Sequence, residues 1–494
     1  DAIWFNQGQV CCAGSRLIVQ EGIADDFHAR LRARMDRLRV GNPLDKCIDV
    51  GAIVDHVQVE TITKLVGSNT SGDLYRSAAE MPTEGCYYPP TLITGLSPAD
   101  TLMQEEIFGP VLVSTTFRLP SEAVQIANNT RYGLAASVWT ENINRALDLA
   151  PQLAAGVVWV NGTNLFDAAA GFGGVRESGF GREGGWEGLS AYTRPNREPR
   201  ELAKVEPKEG DGLPVDAIDR TAKLYIGGKQ ARPDGGYSQP VWQADGALAG
   251  LVSIASRKDI RNAVEAAHGA KGWAKTTGHL RAQILFYLGE NLSARAYEFV
   301  ERIDALTGRG DGTAEVKAAI NRLFTYAAWA DKYDGRVHGV PIKGVAMAMN
   351  EPVGVVGAIC PDERPLLGLV SVMAPLMAMG NTSVLVASEP YPLLATDFIQ
   401  VLETSDVPAG VVNILTGCHG DLAKTMAQHM DLDAVWSFSS SDLSGQIEAA
   451  STTNLKRTWV NNALSRDWMG EDGEGTEFLE SATRVKNIWV PYGE

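Results

Sequence analysis

From residue 15 to residue 161, short runs rich in branched and apolar residues alternate with stretches of helical periodicity, and this alternation constrains the fold most. Residues 15–20 read as a strand. Residues 25–40 read as a helix with Phe27, Leu31, Met35 and Leu38 on one face. The pattern continues with a strand at 111–117, a helix at 121–128, a strand at 135–140, a helix around 143–153 and a strand at 156–161. Glycine then dominates 171–188, which predicts a loop with close backbone approach. From residue 194 to about 220, Pro, Glu, Lys and Asp replace large apolar residues, the composition of a solvated connector. A second globular unit starts near Lys223. Its first helix is announced by the capping-box-like Ser256-Arg-Lys-Asp259, with Ile260, Val264 and Ala267 on one face, and long helices run to about Tyr333. Strands at 353–360 and 383–387 flank a helix at 366–379, a βαβ arrangement, and a third strand at 411–415 leads into Gly417-Cys-His-Gly420. The fold class is α/β, and the second unit has the outline of a doubly wound nucleotide-binding domain.

A chain of 494 residues has room for two or three domains with their own cores. Its 60 acidic and 44 basic residues give a net charge of -16 with no basic run, which argues against nucleic acid and anionic membranes as partners. No stretch approaches about 18 uninterrupted apolar residues, and the N-terminus has neither the basic flank nor the apolar core of a signal peptide, so a soluble, cytoplasmic protein is expected. The six cysteines form no CxxC pair and suit reduced thiols better than disulfides or structural zinc; no metal site is expected. With no initiator methionine and an apolar, aromatic start, the chain reads as a fragment of a longer protein.

Chemistry concentrates in Phe5-Asn-Gln-Gly-Gln-Val-Cys-Cys-Ala-Gly-Ser-Arg16. Glycines around the cysteine pair permit a tight loop that exposes a thiol and offers backbone N–H groups to an oxyanion. A structural cysteine pair fits the same residues, and no histidine lies near enough in sequence to support a Cys-His pairing. The string resembles the catalytic-cysteine motif of the aldehyde dehydrogenase superfamily, residue by residue. The resemblance continues in family order through Gly41-Asn-Pro-Leu-Asp45, Glu105-Glu-Ile-Phe-Gly-Pro110, Asn128-Asn-Thr-Arg-Tyr-Gly-Leu134, Trp159-Val-Asn161, Phe172-Gly-Gly174 and Ser178-Gly-Phe-Gly-Arg182.

The resemblance implies an aldehyde as small-molecule substrate and NAD or NADP as cofactor. Cys11 would be the nucleophile, forming a thiohemiacetal and then a thioester that water hydrolyses. Its own backbone N–H would supply half of the oxyanion hole; the asparagine that supplies the other half, and the general base, would lie before residue 1. Glu106, taken alone a surface carboxylate, falls where the family binds the nicotinamide ribose, with Phe108 beside it. Phe166 and Phe172, taken alone core aromatics, fall where the family lines its aldehyde channel. Residues 189–193 resemble the entry to the family's C-terminal oligomerisation strand, and 478–490 resemble that strand again, so a homo-oligomer, a dimer, is expected.

The second unit resembles the family's N-terminal half through Trp329-Ala-Asp-Lys-Tyr333, Glu351-Pro-Val-Gly-Val355, Pro408-Ala-Gly-Val-Val-Asn-Ile414 and Asn454-Leu-Lys-Arg457. That order of parts is similar to tandem, two-copy, family-sixteen-like members, whose second copy is regarded as non-catalytic. The oxyanion asparagine's Pro-Trp-Asn-Phe-Pro context is replaced by Pro361-Asp-Glu-Arg-Pro365, the ribose lysine by Val386, the pyrophosphate Gly-Ser by Ser439-Ser440 and the general base by Asn461, while Glu389 remains at a ribose position. The implied organisation is a catalytic domain over 1–185, an oligomerisation strand and linker over 186–222, a degenerate cofactor-binding-like domain over 223–475 and a C-terminal interaction strand over 476–494. The competing reading is a pseudoenzyme scaffold of the same fold.

Overall fold

The computed structural model describes residues 2–194, 196, 201–202, 205–206 and 219–492. Much of the expected linker, at 195, 197–200, 203–204 and 207–218, lies outside the described residues. The chain forms two compact units, each drawn from more than one stretch: Asp1–Arg194 with Arg336–Met349 and Val485–Glu494, and Pro195–Gly335 with Asn350–Arg484. The contiguous division expected from sequence does not anticipate this interleaving. Its cause is the pairing of strands far apart in the chain.

The first unit holds two sheets. In the four-stranded one, Arg16–Gln20, Val111–Phe117 and Thr91–Thr94 run parallel and Asp73–Arg76 closes one edge antiparallel. Alternation along these strands sends Ile93, Val111 and Val113 toward Ile62 and Val66 of the helix His56–Gly67, and Leu92 and Leu112 toward Trp4, Met35 and Leu38. The expected 25–40 helix ends at Met35, because Val40 is drawn into a bridge with Val50. Phe27 is not on its buried face, being 41% exposed, whereas Met35 from the expected face is buried, together with Ala24.

In the five-stranded sheet the order is Arg336–Gly339, Gly344–Pro352, Thr483–Pro491, Val157–Val160 and Ala135–Val138. Asn487, Ile488 and Trp489 pair in parallel with Val157, Val158 and Trp159. Both faces of Val157–Val160 are covered, which explains its uninterrupted apolar run. Val158, Val160 and Ile488 pack with Ala146 and Ala150 on one side; Val157, Trp159 and Trp489 pack with Cys12 and Ala170 on the other.

Two sequence expectations change here. The glycine-rich 171–188 stretch is not all loop, since Gly185–Ser190 is helical after Gly184 and Gly185 turn the chain at φ 69° and 61°. Residues 189–193 finish a helix and a turn, and most of the stretch that the expected strand would occupy after them lies outside the described residues. The 478–490 segment likewise begins as the helix Glu477–Ala482, and only then becomes the strand Thr483–Pro491.

The second unit is a seven-stranded sheet in the order Arg457–Val460, Ala434–Ser437, Val355–Ile359, Thr382–Val386, Val412–Leu415, Leu224–Ile226, Lys229–Ala231; the first five are parallel. The βαβ reading matches Val355–Ile359, the wholly buried helix Pro365–Ala378 and Thr382–Val386. Ser256 and Asp259 form the anticipated capping box, and Ile260, Val264 and Ala267 are buried. Among the described residues no helix is long and apolar enough to cross a membrane.

Candidate active site

The Cys11 loop is shaped by its backbone. Asn6 and Gln7 are left-handed at φ 49° and 57°, and Gly8 follows at φ 74°. A Cβ at Gly8 would come within 2.2 Å of the Gly109 carbonyl oxygen, so only glycine allows this loop to lie against the Glu106–Pro110 segment. Trp4 Nε1 donates to Pro110 O at 3.3 Å, and the Gln9 side chain accepts Val54 N–H at 3.0 Å. Beyond the turn, where Ala13 N–H donates to Val10 O at 2.9 Å, Arg16 enters the strand and its guanidinium donates to the carbonyls of Ile126 and Ala127. The cysteine loop is therefore held at both ends by the scaffold.

Its two thiols have different surroundings. Cys11 is exposed and Cys12 is buried. Cys12 donates to Asn164 Oδ1 at 3.4 Å, and burial together with the neighbouring Cys11 pushes its thiol up to about 11. The thiolate is the nucleophile, so Cys12 is the inert member of the pair. The Cys11 N–H donates to no acceptor among the described residues and stays available to an incoming oxyanion. A direct check is alkylation of the native protein at pH 8 followed by peptide mass spectrometry: Cys11 should be modified and Cys12 spared, and equal labelling would remove the distinction.

On one side of this loop, Phe166 and Phe172 meet edge to face with centroids 5.0 Å apart, and Trp159 meets Phe166 at 5.8 Å. Val10 and Phe172 both pack against the Cys12, Trp159 and Trp489 cluster, which joins the aromatic wall to the cysteine loop. Phe166 remains more than half exposed. Phe172 is fixed by paired backbone bonds with Glu183 at 2.7 and 2.8 Å, and Asn487 Nδ2 donates to Gly171 O at 2.6 Å. On the other side, Phe108 is left-handed at φ 54° and its carbonyl accepts from Gln58 Nε2 at 3.1 Å. Glu106 accepts no hydrogen bond among the described residues, and burial pushes its carboxyl above the usual range. The cysteine loop thus adjoins the Glu106–Pro110 segment at Gly8 and shares the Cys12–Trp159–Trp489 cluster with Phe172 through Val10. Sequence reasoning missed Asn164, whose left-handed backbone at φ 55° turns its amide to Cys12; asparagine tolerates that conformation, but nothing in its neighbours marks it.

In the second unit, the corresponding positions are spent on the protein itself. The Asp362 carboxylate accepts Ser388 Oγ at 2.7 Å and Glu389 N–H at 3.0 Å, with burial raising its carboxyl against the pull of His419. Glu389 is half-buried and accepts the His419 N–H at 2.7 Å, at the start of the helix His419–Gln428. His419 Nε2 meets Ala387 O at 2.8 Å, just beyond the carboxyl end of the central strand Thr382–Val386. Asn461 accepts Ser439 N–H at 2.8 Å, and Ser440 caps the helix Ser441–Ser451.

These features define an α/β protein with an exposed cysteine in a preorganised loop. The chain matches the aldehyde dehydrogenase family over residues 1–197 and 216–462, and it belongs to that family. An aldehyde dehydrogenase of Emericella nidulans is 41% identical over 194 residues, 39% of this chain and 39% of that protein. A betaine aldehyde dehydrogenase of Cereibacter sphaeroides is 39% identical over 193 residues, 39% of this chain and 40% of its own length. The human mitochondrial aldehyde dehydrogenase is 42% identical over 194 residues, 39% of this chain and 38% of its own length. The chain thus spans about two-fifths of the length of the curated relatives it matches.

Proposed function

We propose that the protein oxidises an aldehyde to the carboxylic acid with NAD or NADP, in a tandem, two-copy aldehyde dehydrogenase whose second copy is non-catalytic. The observation that carries this reading is the exposed Cys11 with its unspent N–H, in a loop that adjoins both the aromatic pair Phe166–Phe172 and the segment carrying the Glu106 carboxylate. The Cys11 sulfur adds to the aldehyde carbon, and the carbonyl oxygen takes the negative charge beside the Cys11 N–H. Bound NAD or NADP would supply the hydride acceptor that turns the resulting thiohemiacetal into a thioester. Hydrolysis by water then releases the acid and restores the thiol. Phe166 and Phe172 form the wall that limits water at the reacting carbon.

The residues present fit part of such a cofactor. Glu106 is an exposed carboxylate with unused acceptor capacity, suited to the paired hydroxyls of a ribose, and Phe108 offers a ring close by in the same segment. The second unit does not fit one: Asp362 stands where phosphates or an oxyanion would need a donor, and Glu389 is already bonded to His419. On this reading the oxyanion asparagine and the general base come from a cofactor domain that precedes the cysteine loop. The protein is further proposed to be a cytoplasmic homodimer.

The test is absorbance of reduced nicotinamide when the complete protein meets an aldehyde and NAD or NADP, with mass spectrometry for acyl-Cys11. The closed state of the second unit favours one alternative, an assembly scaffold of aldehyde dehydrogenase fold. The absence of both reduced cofactor and acyl-Cys11 would decide for that alternative.

A further inference from the structure

Open α/β sheets take ligands beyond the carboxyl ends of their strands, at the point where strand order reverses. In the second unit the chain builds outward from Val355–Ile359 through Thr382–Val386 to Val412–Leu415, then restarts on the opposite side with Ala434–Ser437 and Arg457–Val460. The reversal therefore lies between Val355–Ile359 and Ala434–Ser437. Its walls are Asp362 and Glu363 after one strand and Phe438 to Ser440 after the other, with Asn461 at the exit of the next.

Residues 461–476 of the same chain fill this place. Trp468, 2% exposed, donates its indole N–H to Glu363 Oε2 at 3.1 Å, and Ser465 Oγ donates to the other carboxylate oxygen at 3.4 Å. Asn461 Nδ2 donates to Leu464 O at 2.8 Å. The Arg466 guanidinium lies 5.1–6.0 Å from the ring centroids of Phe438, Trp459, Trp468 and Phe478, and it donates to Glu477 Oε2 at 2.9 Å and Asp472 O at 2.7 Å. Four rings around one cation is the arrangement by which proteins recognise organic cations. Behind it, the buried Arg322 donates to Trp468 O at 2.9 Å and Glu474 Oε2 at 3.1 Å, and also bonds Gly473 O and Ser371 Oγ.

We propose that residues 461–476 are a built-in plug that takes the ligand's place at the strand-order reversal of the second unit, with Arg466 as its anchor in an aromatic cage. The second unit is then held together by its own chain rather than by a dinucleotide. This stands apart from the chemistry of Cys11, because every residue it uses lies in the second unit.

Hydrogen exchange on the full chain tests it. In the unmodified protein, millimolar NAD or NADP should leave exchange at 437–441 and 461–476 unchanged. Arg466→Ala should speed exchange across 461–476 by at least roughly tenfold while 355–386 stays protected, and methylguanidinium should reverse that by refilling the cage. Should Arg466→Ala fail to fold, Trp468→Phe, which keeps a ring but drops the N–H to Glu363, should speed exchange around 465–470. Protection of 437–441 by either nucleotide, or unaltered exchange at 461–476 in both variants, would overturn the proposal.

Discussion

Alanine at position 11 should abolish aldehyde-dependent reduction of nicotinamide in the complete protein, a loss of about 10⁴-fold or more in kcat, because no other group replaces the attacking sulfur. Thermal stability should change little, since Cys11 is exposed. The decisive comparison is Cys12→Ala. That change removes the bond to Asn164 and a buried thiol, so it should cost stability while leaving turnover within an order of magnitude. If Cys11→Ala retained activity and Cys12→Ala lost it, the nucleophile would be misassigned. The raised Cys12 thiol argues for the first outcome, because it stays protonated well above neutral pH.

Trp489→Ala should be the most damaging single change in the first unit, costing about 3–5 kcal/mol. Trp489 is buried in the middle of the five-stranded sheet, pairs in register with Trp159 and belongs to the cluster that includes Cys12. The cavity would open beneath the cysteine loop. Denaturant unfolding should report the lost stability, and alkylation should now reach Cys12. Tyr492→Ala, at an exposed site one residue beyond the same strand, should stay within about 0.5 kcal/mol. A loss at Trp489→Ala as small as that expected for Tyr492→Ala would show that the sheet tolerates the cavity.

How much of this was legible in the sequence depends on the range of the interactions involved. The strand at 16–20, the strand at 111–117, the capping box at Ser256 and the βαβ unit around 355–386 all follow from local periodicity, and the structure has each of them. The candidate site was legible through short motifs, since Cys11, Glu106, Phe108, Phe166 and Phe172 lie in or beside them, and their loops do meet. Pairing of Trp489 with Trp159 has no local signature, because periodicity marks a strand without naming its neighbour. Phe27 misled because a helical face is set by what lies opposite, and Val40 left the helix for Val50. The Arg466 cage gathers rings from positions 438, 459, 468 and 478, whose spacing fits neither a helix nor a strand period.

The five-stranded sheet also bears on the order in which the molecule can be made. Lys486 and Asn487 bond to carbonyls at Pro151, Leu153 and Gly171, separated from them by 316 to 335 residues. A ribosome delivers the cysteine loop and its aromatic wall long before it delivers the strand that completes their floor. During that interval Val157–Val160 is an apolar edge without its neighbour, the situation in which nascent chains mispair and recruit chaperones. Closure of the floor waits for Thr483–Pro491, so a product broken off before that strand would present the Cys11 thiol on an unfinished sheet. The floor beneath the cysteine loop is therefore complete only once Thr483–Pro491 has been made.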